Sequence, residues 1–364
     1  MGVAEIREHV GAGGLLAGPQ PLVAMLSGGR DSVCLLDVAV ALRPAGSVRA
    51  LHVNYGLRGA ESDADERHCA ALCEALGVEL EVARASREQG AAGNLQAWAR
   101  DVRYAAAIAL ARRLDERPDA LGESRNAPGR RADLPGEPVD APRERTNASS
   151  ERADAPVDVR TLVAAGHTAS DQVETILYRL AASPGRRALL GMRPVEGRLV
   201  RPLLGVTREQ TGAYCEARGL RWREDASNDS DAYARGRVRH GLAVALRAVH
   251  PAAEANVLRT AELLREETDL LDGLVTSTLG GRESIEIARL QALEGALARL
   301  VVVRLAELAA GAYVPQAGDR VEEILELGRR GGESSGARLD LHVGGNVSAR
   351  IEGGVLSMAR LSPR

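Results

Sequence analysis

The chain has 364 residues with no Phe and no Lys, so all 47 of its Lys-or-Arg positions are Arg. Without Lys there is no Walker A lysine, no protein-kinase strand lysine and no Schiff-base lysine for pyridoxal chemistry. The chain is 45% hydrophobic and 27% charged, as in globular proteins, and its net charge of −3 means a nucleic-acid partner would meet a local Arg patch rather than a basic surface.

No apolar run reaches the roughly 20 residues of a membrane span. The first residues lack a basic start followed by a long apolar stretch, so no signal peptide is expected. Cys34, Cys69, Cys73 and Cys215 form neither a CxxC pair nor a zinc set. That usage fits a reduced, cytoplasmic protein with structural thiols.

In chain order, residues 21–26 (PLVAML) read as a buried strand running into a Ser-Gly-Gly turn. Residues 31–43 carry apolar positions at helical spacing. Residues 48–53 read as a second strand, 61–76 as a helix ended by Gly77, and 78–83 as a third strand. A long helix follows over 94–114, then a strand at 161–166 and a helix from about 170. This alternation predicts an α/β fold, a parallel sheet with helices on both faces. Residues 115–158 hold six of the 15 prolines and only four Val or Leu. Such a stretch buries too little apolar area to offset its chain entropy, and it is expected to be a disordered insertion within the first domain. Beyond about 220 the alternation stops. The expected domains are 1–218, a helical region 219–330, and a small β-rich appendage 331–364 with short alternating runs.

The string Ser27-Gly28-Gly29-Arg30-Asp31-Ser32 lies between a strand and a helix. Two glycines let the backbone approach a phosphate, and the helix N-terminus favours an anion. Ser27 and Ser32 add hydroxyls. Asp31 would repel phosphates unless a cation intervenes, which points to Mg²⁺ bridging Asp31 and a pyrophosphate. The competing reading is a Gly-Gly turn with a helix cap.

This SGGxDS loop resembles that of the N-type ATP pyrophosphatases. The remaining motifs resemble, in order, those of the tRNA(Ile)-lysidine synthetase family. They are His52-Val53-Asn54-Tyr55-Gly56-Leu57-Arg58 with Glu61 to Glu66; Ala99-Arg100-Asp101-Val102-Arg103-Tyr104; Gly166-His167-Thr168 with Asp171-Gln172-Val173-Glu174-Thr175; Arg201-Pro202-Leu203-Leu204; and Asp225 to Arg239. Together they cover roughly 20–250. The resemblance implies an adenine nucleotide alpha hydrolase-like domain followed by a tRNA-binding region. It implies a ligase that uses ATP and Mg²⁺ to adenylate C2 of the wobble cytidine of the CAU anticodon of tRNA(Ile), after which the ε-amine of free lysine displaces AMP to give lysidine. A homodimer is compatible with it.

The resemblance also assigns roles. Ser27–Ser32 and His52 would bind ATP. Asp171, Glu174 and His167 would hold lysine, with the two carboxylates able to help deprotonate its amine. Arg100 would grip a phosphate or the adenylated base, an Arg property. Asp31, Arg100, Asp171 and Glu174 form the expected catalytic set. Tyr233, Arg235, Arg237 and Arg239 would bind tRNA. Each has a plainer reading: acidic residues suit a helix N-terminus, Arg100 and Arg103 can line a solvated face, and Arg237 or Arg239 can brace a domain junction. The chain departs from the family pattern at Tyr55, Gln96, Ser170, 182–185 (ASPG for RGSG), Gly236 and Val244. A tRNA thiolase and a non-catalytic RNA-binding relative are the competing readings. The absence of CxxC argues against the thiolase.

Overall fold

A computed structural model describes residues 1–86, 94–116, 131–133, 160–183, 185–224, 234–333 and 339–361. The chain divides into two compact units, the first reaching Glu262 and the second beginning at Leu263.

The first unit opens with α1 (Val3–Ala12). The core alternation follows: β1 (Leu22–Met25), α2 (Arg30–Leu42), β2 (Val48–Asn54), α3 (Ala60–Leu76), β3 (Glu79–Arg84) and α4 (Leu95–Glu116). Next come β4 (Arg131–Asp133), β5 (Leu162–Ala164), α5 (Ala169–Ala182), a 3₁₀ turn (Arg186–Leu190), the short strands β6 (Val195–Glu196) and β7 (Leu199–Val200), and α6 (Arg208–Ala217). The unit ends with α7 (Ala234–Arg237), a π-helical turn (Val238–Leu242), α8 (Ala243–Val249) and α9 (Ala253–Leu279), which runs on into the second unit.

Seven strands form one sheet in the order β4-β3-β2-β1-β5-β7-β6. All pairs are parallel except the β6–β7 hairpin. β1 and β2 are buried on both faces; β1 is accordingly an uninterrupted apolar run, while β2 also buries Arg49, His52 and Asn54. Their side chains still sort by pleat. Leu22, Ala24, Val48 and Ala50 join one core with α1, α2, α3 and α6, while Val23, Met25, Leu51 and Val53 join another with α4. The chain leaves β1 towards β2 and β3, then returns to the other side of β1 at β5. This reversal opens a crevice at the carboxyl ends of β1 and β5, where open α/β sheets bind ligands.

Of the expected insertion 115–158, residues 115–116 close α4 and 131–133 add the edge strand β4; the rest lies outside the described residues. Its roots are joined: Asp115 Oδ1 accepts from Thr161 N at 2.7 Å, and Arg198 pairs with the same carboxylate.

The second unit contains β8 (Ser284–Glu286), α10 (Ile287–Gln291), α11 (Gly295–Ala310), a 3₁₀ turn (Pro315–Arg320), α12 (Val321–Glu333), β9 (Leu339–Gly344), β10 (Val347–Glu352) and β11 (Val355–Arg360). The expected C-terminal antiparallel strands form, and β8 joins them in the order β8-β11-β10-β9. Leu290, Val301, Leu305 and Ile324 from the helices share one core with Val347, Ile351 and Leu356 from the strands.

Candidate active site

The phosphate-loop candidate sits where β1 turns into α2. Gly28 has φ +87°, a left-handed conformation that favours glycine, and a Cβ there would lie 3.3 Å from Cys69 Sγ. Gly29 is the extended residue before the helix. Ser32 Oγ donates to the Gly29 carbonyl at 2.8 Å and accepts from Ser27 N at 3.1 Å. The Ser32 hydroxyl proton therefore braces the loop itself. Ser27 Oγ lies 3.1 Å from Ser32 Oγ. The Gly28 carbonyl accepts from Arg223 N at 2.9 Å, tying the loop to the segment after α6.

A cleft of about 630 Å³ lies over this loop. Ser27, Gly29, Arg30, Asp31, Ser32, His52, His167, Asp171, Arg103, Arg208 and Arg239 line it. Gly166 allows the close approach that closes its floor, since a Cβ there would meet the Asp31 carbonyl oxygen at 3.0 Å.

Three carboxylates from two helices converge beside the loop. Asp31 Oδ1 accepts from the Thr211 hydroxyl, and Arg208 Nε lies 3.8 Å from Asp31 Oδ2. Burial pushes the Asp31 carboxyl above its ordinary value, ahead of the opposing Thr211 hydrogen bond. Asp171 plays two parts. Its Oδ2 accepts from Thr168 N (2.8 Å) and Oγ1 (2.9 Å) in a capping box, and its Oδ1 accepts from Arg208 Nη2 at 2.8 Å. Glu174 is 5% exposed. Its Oε1 accepts from Arg208 Nη1 (3.0 Å) and Arg239 Nε (2.7 Å), and its Oε2 from Arg239 Nη2 (3.0 Å).

Arg208 therefore touches all three carboxylates, and sequence reasoning missed it. Thr207 and Gln210 form a capping box that marks the start of α6. A cation in the first turn opposes the helix dipole, and that anomaly was the available signal.

His52 lies buried in β2. Its Nδ1 donates to the Leu26 carbonyl at 2.9 Å, and burial lowers its pKa, leaving it neutral. His167 follows β5, and its pKa is held well below the ordinary range by burial first and then by Arg201, Arg103, Arg100 and Arg235. Its buried Nδ1 finds no partner in the described structure. Of Arg100 and Arg103 on α4, it is Arg103 that lines the cleft. The guanidinium of Arg100 stacks over the Tyr104 ring at 5.3 Å from its centroid.

The four-residue Tyr233–Arg239 set divides. Tyr233 lies outside the described residues, Arg235 and Arg237 are exposed on α7, and Arg239 turns onto Glu174. The acidic run of α3 is spent on scaffold contacts: Asp65 pairs with Arg58 and Arg223, and Glu66 with Arg84 and Asn54. All four cysteines are free and buried. Burial pushes the Cys73 thiol up to about 12, and Cys69 higher still.

A family model described as a PP-loop domain matches residues 7–117 and 151–246, more than half the chain. The chain is similar to tRNA(Ile)-lysidine synthases. It is 34% identical over 255 residues to that of Pseudomonas fluorescens, covering 68% of this chain and 47% of the relative. It is 30% identical over 358 residues to that of Dehalococcoides mccartyi, covering 92% and 66%, and 32% identical over 312 residues to that of Solibacter usitatus, covering 83% and 60%. The chain thus spans about half to two thirds of the length of these relatives. Among solved structures, a U34-tRNA thiolase from Methanococcus maripaludis shares the fold, with a TM-score of 0.50, 16% identity, and coverage of 72% of this chain and 78% of that one.

Proposed function

Because the chain belongs to the PP-loop domain family, and its curated relatives carry the name tRNA(Ile)-lysidine synthase, we propose that it modifies the wobble cytidine of a CAU-bearing tRNA with lysine at the expense of ATP. One observation carries this reading: Asp171, a carboxylate that can hold an amine, lines the same cleft as a loop that can hold a pyrophosphate.

The chemistry follows from that adjacency. The cytidine O2 attacks the α-phosphorus of ATP and pyrophosphate leaves towards the Ser27–Ser32 loop and the α2 N-terminus. The ε-amine of lysine then attacks C2, its proton is lost, and AMP departs carrying the former cytidine oxygen. Asp171 and Glu174 hold the amine as a cation and take part in its deprotonation. His167, neutral and on the cleft lining, offers an uncharged nitrogen to the same amine.

Mg²⁺ fits the donor set. Among the described residues no group of three or more His, Cys, Asp or Glu gathers around a cation position. Asp31 keeps one carboxylate oxygen off its Thr211 bond. One carboxylate plus substrate phosphates is a usual Mg²⁺ arrangement. The ion would neutralise phosphate charge and make the α-phosphorus more electrophilic.

Arg235 and Arg237 would meet the RNA backbone, Arg103 the nucleotide phosphate or the base. No described helix is long and apolar enough to cross a membrane, consistent with a cytoplasmic partner RNA. The thiolase reading is not favoured, since sulfur transfer through cysteine needs an accessible thiolate and these thiols are buried. To test the proposal, the protein is mixed with ATP, Mg²⁺, labelled lysine and tRNA bearing CAU or a changed anticodon. Label should enter the CAU tRNA alone. No incorporation beside an active control enzyme would sink the reading.

A further inference from the structure

Glu174 is hidden from the cleft that it is expected to serve. Both its oxygens are occupied by guanidinium nitrogens at 2.7–3.0 Å. Arg208 and Arg239 line the cleft and Glu174 does not. Arg208 is fixed from several sides, by Asp31, Asp171 and Glu174, and its backbone N donates to Ser170 Oγ at 3.2 Å. Arg239 reaches Glu174 from a different element. It grips Glu174 with two nitrogens, and its nearest approach to Asp171 is 4.0 Å. It also stands on a π-helical turn, Val238–Leu242, that interrupts the run from α7 to α8. Such turns are frequent at functional sites.

An incoming ammonium competes for Glu174 with a cation that the chain supplies itself. We propose that Arg239 is an internal competitor at the amine subsite: its guanidinium occupies the place on Glu174 that the ammonium of the substrate amino acid takes, and substrate binds by displacing it. This rests on the assignment of Asp171 and Glu174 to the lysine amine. Arg239 is then a specificity-determining residue. It sets the threshold that an amine must exceed, and it excludes small cations and weaker amines that make fewer contacts elsewhere in the cleft.

The test uses the full-length protein with CAU-bearing tRNA, ATP and lysine, comparing wild type with Arg239→Gln and Arg239→Lys. Removing the competitor should lower the KM for lysine on the order of tenfold, the value of one charge-assisted contact of about 1.4 kcal/mol. Guanidinium chloride at millimolar concentration should refill the vacancy. It should inhibit Arg239→Gln competitively against lysine and leave wild type unaffected, a pattern that a purely structural role does not produce. If Arg239→Gln does not fold, Arg239→Lys carries the test: its single-pointed ammonium holds Glu174 less firmly, and the lysine KM should fall by a smaller factor. A lysine KM that rises or stays unchanged in the folded variant overturns the proposal. Failure of wild type to incorporate lysine at all would overturn the functional reading instead, so the two outcomes are distinct.

Discussion

Gly166 is the position where one methyl group should damage both stability and nucleotide use. A Cβ there would lie 3.0 Å from the Asp31 carbonyl oxygen, 3.1 Å from its carbon and 3.2 Å from Ser32 N. Comfortable heavy-atom contacts are about 3.5–4.0 Å, so the segment after β5 and the first turn of α2 would have to part by about half an ångström. All three neighbours are backbone atoms, and no side-chain rotation relieves the clash. Overpacking of this kind costs about 1–3 kcal/mol, or a fall of about 2–4 °C in Tm per kcal/mol for a unit of this size. The displaced atoms carry Asp31 and Ser32, so the nucleotide is also misplaced. A misplacement near 1 Å can cost about 10²-fold, and half of that should cost about tenfold in kcat/KM for ATP. Gly166→Ala is therefore compared with wild type by urea denaturation and by tRNA-dependent AMP release. Gly273→Ala supplies the control, because it adds the same methyl inside α9 with nothing within 4 Å, and it should stabilise by about 0.5–1 kcal/mol. Unchanged stability and ATP kinetics in Gly166→Ala would refute the claim that this close approach shapes the site.

Other substitutions probe the charges and the scaffold. Asp31 has a folded-state pKa raised above the ordinary 3.8, chiefly by burial, so the folded protein holds that proton more tightly and its stability falls as pH rises through the interval above 3.8. Asp31→Asn should thus melt higher than wild type at pH 7 while losing activity, with the difference fading below about pH 4; a variant no more stable at neutral pH would contradict this. Asp37 behaves oppositely: burial alone would raise its carboxyl, but hydrogen bonds from Arg218, Tyr214 and Arg7 outweigh it and hold the carboxyl below its usual range. Its stabilisation is complete above the unfolded-state value and is lost as pH falls through the folded-state one, so Asp37→Asn should cost about 3 kcal/mol at pH 7 and progressively less below pH 4, read from denaturation curves at several pH values. Gln172 pairs its amide with both the N–H (2.6 Å) and the carbonyl (2.9 Å) of Met192. Gln172→Leu removes both of these buried hydrogen bonds and should cost about 1–3 kcal/mol; an unchanged stability would show that the 185–192 turn is held by other means.

The α/β alternation was legible because β1 is a short, bounded apolar run and both β1 and β2 are followed by helical spacing. The phosphate loop was legible because its requirements are local: two glycines, one with φ +87°, and a helix start within six residues. The pairing of Glu174 with Arg208 and Arg239 was not, since those partners are 34 and 65 positions away and only the tertiary fold, which packs Val173 and Leu177 of α5 against Val238 and Ala243, brings them together. The same limit hid β8, which pairs with β11 from some seventy residues away, and β6–β7, where two residues per strand leave no periodicity to read. Arg239 was expected to bind tRNA by resemblance to a family motif, with a bracing role as the alternative; the structure places it on a π-helical turn with its guanidinium on Glu174, and no spacing rule anticipates such a turn. His52 was expected against the nucleotide, and a strand end does put it on the cleft lining, but its Nδ1 is committed to the Leu26 carbonyl.

The central claim is that one cleft joins cytidine activation by ATP to attack by an amine. Its most direct test is to incubate the protein with ATP, Mg²⁺, lysine and a CAU-bearing tRNA whose wobble cytidine carries ¹⁸O at C2, digest the RNA to nucleosides, and weigh both products. The predicted result is a wobble nucleoside heavier than unlabelled cytidine by one lysine less one water, with the ¹⁸O recovered in AMP. An unmodified cytidine retaining its ¹⁸O, or a nucleoside that has gained sulfur instead, would contradict it.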